Sequence, residues 1–410
     1  MSGIGRNQRT LIVKTKGDKG VSMNFCMVAY SFYESDNRVR RYAETLVNEG
    51  HQVDAVALRK PGQARFEVIK GVSVHRIQER KIDEKGKLSY LYRLLKFFFL
   101  SSCWLTFSHF RKRYKVIHVH SVPDFEVFST LIPKLFGARV ILDIHDIVPE
   151  FFADKFGVSR DSFLVRALKC VEKLCCAFAD HVIIANDIWY KKLTERSVSP
   201  DKCTTVLNYP TDIFSRNLDC VRNDGKVIMI YPGTLSVHQG LDVAVVACEK
   251  IKSVIPQFEF NMYGKGPEWQ NLQDQIERLG LSDTVRMHGL VSMEEISRLM
   301  SEADIGVVPK RAKGFGDKAF STKIFEFMAV GLPVVASKTT IDRFYFSNGS
   351  VLFFESGNAD DLADKVLSLL QHPVARQQQV EVAYAFIEKN RWENKKQLYL
   401  DIIDKLTAGR

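Results

Sequence analysis

Hydrophobic and polar positions follow two periods along this chain. Short β-branched runs predict strands at 24–29, 52–57, 116–120, 140–144, 181–185 and 203–207. Between the fourth and fifth of these, residues 163–178 place Leu164, Ala167, Leu168, Val171, Leu174, Cys175 and Phe178 on one face. Arg166, Lys169, Glu172 and Lys173 lie opposite, the stripe of a helix resting on a sheet. A second series of strands is predicted at 226–231, 259–263, 284–287, 303–308, 333–336 and 351–354. Strands recurring every ~20–30 residues with helical stretches between them fit repeated βα units. The stretch 209–225 is polar and broken by Pro210. The predicted architecture is α/β, with two doubly wound Rossmann-like domains facing across a cleft. They run over 23–208 and 226–385, joined by the linker 209–225. Residues 1–22 are polar, basic and aperiodic, a flexible tail. The stretch 386–410 carries an amphipathic helix over 391–406, after a helix at 373–389 with no strand between, and is expected to cross back onto the first domain.

Composition changes this picture in two places. The chain has 410 residues and a formal net charge of +10, and residues 1–115 alone hold 23 Lys and Arg against 10 Asp and Glu. A basic first half suits an anionic partner: a membrane surface, a phosphorylated acceptor or nucleic acid. No aromatic-basic platform motif accompanies the charge, so nucleic acid is not expected. The eight cysteines show no metal-ligand spacing, and with no secretory signal the expected setting is the cytoplasm. The longest apolar run, 97–105, is far short of the ~18–20 residues of a spanning helix. The aromatic stretch 90–107 is followed by Arg111, Lys112, Arg113 and Lys115. That combination suits either a core helix or peripheral contact with an anionic membrane at its inner face.

Chemistry concentrates at strand ends. In 307–338, VVPKRAKGFGDKAFSTKIFEFMAVGLPVVASK, a buried strand gives way to a glycine-bearing loop. Ser321, Thr322 and Lys323 then open a helix that Gly331 closes. Unpaired amides and the positive dipole end at such a start suit a phosphate. Glu326, one turn on, is placed to take both hydroxyls of a ribose. Two more glycine loops, YPGTLSVHQGLD (231–242) and MYGKGP (262–267), end strands of the same domain. They leave room for a nucleotide-sized ligand. In the first domain, VIHVHSVPDF (116–125) and ILDIHDIVPEF (141–151) put His120 and His145 at strand ends. Asp143 and Asp146 flank His145 and are placed to orient it. Of Arg38, Arg40 and Arg41 one at most is expected to reach the cleft, and Arg38 is favoured. There is no Asp-x-Asp pair and no Gly-x-Gly-x-x-Gly after the first strand, so neither a metal nor NAD is expected. No cofactor is called.

These motifs, in this order from about residue 24 to 406, resemble those of the GT-B glycosyltransferases of family four, the "glycosyl transferases group 1" type. The resemblance implies retaining, metal-independent transfer of a sugar from a nucleotide-sugar held mainly by the second domain. It implies an acceptor that is a glycan or is linked to polyprenyl diphosphate, in bacterial surface-polysaccharide assembly. His145 matches the family's cleft histidine and Glu326 the second Glu of its Glu-x7-Glu. The diphosphate would meet the loop Gly233–Gly240 and the start at Ser321–Lys323. Lys318 stands where the first Glu is common, and Thr234 and Gln239 where Arg and Lys are common. Positive charge would then come from His238, Lys265, Lys310, Lys318 or Lys323, with Gly264 beside them. Two alternatives are a nucleotide-sugar epimerase on the same plan and, suggested by Lys318, a non-catalytic nucleotide-sugar binder.

Overall fold

The computed structural model describes residues 21–80, 87–216 and 222–408. Most of the predicted tail, and residues 217–221 of the linker, lie outside them. The first sheet holds β1 (Asn24–Ala29), β2 (Gln52–Arg59), β3 (Phe66–Ile69), β4 (Val72–Glu79), β5 (Val116–His120), β6 (Arg139–Ile144), β7 (His181–Ile184) and β8 (Cys203–Thr205). Its order is β3-β4-β2-β1-β5-β6-β7-β8, and only the β3–β4 pair is antiparallel. The second sheet holds β9 (Val227–Pro232), β10 (Phe258–Tyr263), β11 (Val285–His288), β12 (Ile305–Val308), β13 (Val334–Ser337) and β14 (Leu352–Phe354). It is parallel throughout, in the order β11-β10-β9-β12-β13-β14.

Every predicted strand is present, and two were not predicted. The hairpin β3–β4 turns at Lys70 and Gly71, both at positive φ, the tight turn whose twist matches its strands. The pattern hid it because β3 is exposed and because β4 points Arg76 and Gln78 inward beside Val72 and Val74. Arg76 is tolerated there because its guanidinium binds Glu34 and Glu67.

Two stretches of chain join the domains side by side. The linker leaves β8 through Asn208 and Pro210, and the C-terminal chain returns at Arg391, where the Trp392 amide donates to the Pro210 carbonyl at 3.1 Å. Helix Trp392–Thr407 then lies on the first domain: Trp392 Nε1 donates to Thr45 Oγ1 at 2.8 Å, and Tyr399 packs on Tyr42 with ring centroids 4.4 Å apart. One apolar cluster therefore runs from Met27 and Tyr42 through Val206 and Tyr209 to Phe325 and Trp392. A second contact spans the domains, with Phe315 seated between Phe151 (5.0 Å) and Trp189 (5.5 Å). Beside it the Tyr345 hydroxyl donates to Asp187 at 2.7 Å.

Candidate active site

The carboxyl end of the first sheet opens onto a cavity of about 500 Å³, as doubly wound folds direct their ligands, and the start of a second-domain helix closes its far side. Its second-domain wall is Thr322 and Glu326, and its first-domain wall includes Tyr30, Arg38 and His145, with Asn208 and Pro210 at the hinge. A smaller cavity of about 240 Å³ continues past His145 between His120 and Asp146.

The second-domain wall is built by helix Thr322–Val330. Ile324, Phe325, Phe327 and Met328 are buried on its sheet side, and Gly331 at φ 78° closes it in left-handed conformation. Ser321 precedes it without a capping bond, because its hydroxyl donates to Asp342 (3.0 Å) and accepts from Lys310 (2.7 Å). The amides of the first turn thus carry no side-chain cap. Lys323 runs from this turn to the end of β9. Its ammonium lies 5.1 Å from the centre of the Tyr231 ring and 2.8 Å from where a Cβ on Gly233 would stand. Burial lowers the Lys323 pKa, with Glu326 opposing and Lys310 adding to the effect. Burial raises Glu326 to about 6, against the pull of Lys323. Among the described residues neither side chain has a hydrogen bond or ion pair, so a half-buried carboxylate and a helix start stand at the cavity wall with a half-buried cation beside them at Gly233.

The first-domain wall is the opposite case. Strand register sets His118 and His120 of β5 beside Ile141 and Asp143 of β6. Asp143 is fully buried and takes a bidentate pair from Arg38, at 2.7 and 2.6 Å. Its Oδ2 also lies 3.2 Å from His120 Nδ1 and 3.3 Å from His145 Nε2. Burial opposes the Asp143 charge, yet Arg38 and the His145 and His120 rings hold its pKa well below the usual carboxylate range. An ionised Asp143 accepts from both ring N–H groups, which leaves His145 Nδ1 as the acceptor of a ring lining the cavity. Burial keeps His118 and His120 neutral, and His118 Nδ1 sits 3.2 Å from the Tyr399 hydroxyl. Ligand atoms of His118, His120 and Asp143 fall within 4.8 Å of one another, a grouping the sequence did not suggest. The Arg38 guanidinium covers both carboxylate oxygens, so this donor set does not suit a cation.

Several expected roles need correction. Lys310 is buried, and its ammonium is engaged by the Ala319 carbonyl, Ser321 and Asp342, so it does not face a ligand. Gly240 and Gly264 make room for protein: a Cβ would overlap the Pro309 carbonyl in one case and the Gly233 carbonyl in the other. Arg38 reaches the cavity wall, but its donors are committed to Asp143, the Val206 carbonyl and Asn208. Arg41 is also turned inward, onto the Tyr209 and Leu207 carbonyls, where the sequence allowed one arginine at most. Thr234, His238 and Lys265 are exposed, and Gln239 only partly so. Lys318 is half-buried, its carbonyl accepting from Asn186 at 3.4 Å. Asp146 lines the smaller cavity, where burial lifts it to about 6.

Two family models divide this fold between them. Residues 219–386 match the model of glycosyl transferases group 1, and residues 35–208 match the glycosyl transferase 4-like domain. Residues 219–386 belong to the group 1 glycosyltransferases. Among curated relatives, an amylovoran biosynthesis glycosyltransferase of Erwinia amylovora is 30% identical over 45% of this chain and 46% of its own. A 2-deoxystreptamine N-acetyl-D-glucosaminyltransferase of Niallia circulans is 20% identical over 81% and 87%. The chain spans 39% and 46% of the first two curated relatives it matches. Of solved structures, a sucrose-phosphate synthase from Thermosynechococcus elongatus superposes with a TM-score of 0.75 at 18% identity, covering 93% of this chain and all of the other. Anabaena HepE, solved with UDP and glucose, superposes at 0.71 and 15%, with the same coverage. These likenesses place the glycosyltransferase in the GT-B fold.

Proposed function

We propose that this glycosyltransferase moves a sugar, with retention and without a metal, from a nucleotide-sugar to a hydroxyl of a glycan or polyprenyl-diphosphate-linked acceptor. Surface-polysaccharide assembly is the setting, in keeping with the amylovoran relative. The observation that carries the reading is the wall of Thr322 and Glu326 with Lys323 beside it. It joins the cation over Gly233 to a helix start and a carboxylate, facing His145 across one cavity.

The diphosphate sits at the first-turn amides with Lys323, and the Glu326 carboxylate accepts from the ribose hydroxyls. As the bond from the sugar's anomeric carbon to the diphosphate oxygen breaks, charge develops on that oxygen. Fixed N–H dipoles and an ammonium are aimed at it, a contribution worth about 10²–10³ in rate per donor. The acceptor oxygen bonds to the same carbon on the same face, and its proton passes to the departing diphosphate. His145, held by Asp143, accepts from a hydroxyl of the transferred sugar and orients it.

Peripheral membrane contact belongs to this reading. Helix Lys87–Lys112 leaves Leu91, Phe99, Phe107 and Phe110 exposed, with Phe136 4.9 Å from Phe110, and basic residues at its end. No helix among the described residues is long and apolar enough to cross a membrane. Co-sedimentation with anionic vesicles is expected for the wild type and not for Phe99→Ser/Phe107→Ser; equal sedimentation removes the membrane from the proposal.

Calorimetry with UDP-, GDP- and ADP-sugars tests the donor site. One nucleotide class is expected to bind the wild type, and Lys323→Ala to lose both that binding and transfer while melting at the same temperature. Wild-type affinity in Lys323→Ala would refute the assignment, and binding without transfer to any acceptor extract would return the non-catalytic alternative.

A further inference from the structure

The first-domain wall carries several arginines, and nearly all are engaged. Arg38 and Arg41 hold Asp143 and the hinge, Arg59 binds Glu79, and Arg76 binds Glu34 and Glu67. Arg80 differs. It follows β4 at the carboxyl edge of the sheet and lines the large cavity with Tyr30, Ser31, Phe32 and Leu58. Its amide is fixed by the Arg59 carbonyl at 2.9 Å. Its guanidinium carbon lies 5.2 Å from the Tyr30 ring centre and 5.8 Å from that of Tyr90. Tyr30 is itself buried edge-on against Phe97, at 5.2 Å. Among the described residues no carboxylate pairs with Arg80, and its buried Nε has no acceptor. The Ser31 hydroxyl, in the same wall, is likewise buried without a partner.

A guanidinium resting against two perpendicular rings, Tyr30 and Tyr90, is held in place by cation–π contact, and its N–H fork suits bidentate capture of a planar or tetrahedral oxyanion. Leaving such a buried donor unmatched is unfavourable, so it is a place where an external group supplies the acceptor. Aromatic walls around a few placed polar groups are the make-up of a small-molecule site. Nothing in the donor reading uses this end of the cavity, since the nucleotide is assigned to the opposite domain.

We propose that Arg80, with Ser31, forms an anion-recognising acceptor subsite in which a phosphate or carboxylate on the acceptor is held against Tyr30 and Phe32. The proposal rests on the glycosyltransferase reading and names the class of acceptor: acidic, not neutral. Arg80 is a specificity residue here and takes no part in bond making.

The test is calorimetry of the full chain with its donor site saturated by UDP, or by whichever nucleoside diphosphate binds. The probes are farnesyl diphosphate, methyl glucuronide and neutral methyl glucoside. The expected result is that one anionic probe binds more tightly than methyl glucoside, and that Arg80→Gln removes about 10–100-fold of its affinity, the worth of charge-assisted hydrogen bonds. Arg80→Gln is expected to keep wild-type nucleotide affinity and a melting temperature no lower than wild type, because it removes an uncompensated charge. Farnesyl diphosphate as the responsive probe assigns the group as phosphate, and the glucuronide assigns it as carboxylate. If neither anion outbinds methyl glucoside, or if the advantage survives in Arg80→Gln, the proposal is overturned. Failure of every nucleotide to bind the wild type is a separate result, and it removes the donor reading instead.

Discussion

The two walls of the cleft hold similar chemical groups in opposite states. On the first domain, Arg38, His120 and His145 all converge on the buried Asp143, and both oxygens of its carboxylate are matched. On the second, Lys323 and Glu326 lie close enough to shift each other's pKa yet form no ion pair, and a helix start beside them lacks a cap. A matched, buried network fixes geometry, and an unmatched one waits for a partner. The comparison assigns positioning to the first wall and binding to the second.

The largest effect should come from unbalancing the matched wall. Asp143→Ala leaves the Arg38 guanidinium buried and unpaired, and is expected to cost about 3–5 kcal/mol in urea unfolding at neutral pH. Arg38→Met/Asp143→Leu should recover most of that loss, because it removes both charges together. A loss under about 1 kcal/mol for Asp143→Ala would mean that the pair is not held out of water.

A smaller effect sharpens the other side. Glu326→Gln is expected to weaken donor binding by roughly 10–100-fold at pH 8, with little change in stability, since charged hydrogen bonds contribute about 1.5–3 kcal/mol. Its pH signature follows from burial lifting the folded carboxyl to about 6. The ionised form accepts from both ribose hydroxyls, whereas the protonated form spends one oxygen as a donor and accepts more weakly. Wild-type affinity should therefore fall as pH drops below about 6, by up to about tenfold per unit. The Gln variant should keep only the weaker dependence due to the phosphate itself. Identical pH profiles for the two proteins would show that Glu326 does not meet the donor.

The alternation of apolar runs made the two sheets legible, because parallel strands buried on both faces advertise themselves. The β3–β4 hairpin did not show, and Arg80 was hidden with it: its strand carries Arg76 and Gln78 where a pattern expects aliphatics. In the site, Lys323 and Glu326 were legible because one helix sets both. Lys310 was misread for the complementary reason, as its partner Asp342 arrives from another helix that sequence spacing does not reveal. The link from His120 to Asp143 needed the register of β5 against β6. Arg41 was not expected to turn inward, because the linker carbonyls of Leu207 and Tyr209 that require its donors lie far off in sequence.

The chain crosses between the domains twice, with Trp392 bonded to Pro210 where the crossings run alongside each other. Two pins set side by side fix the direction of an axle, and sliding or twisting one lobe on the other would shear the bond between the pins. Phe315, wedged between Phe151 and Trp189 away from that axle, is a third point of attachment, and three points out of line set the angle between the lobes as well as their direction.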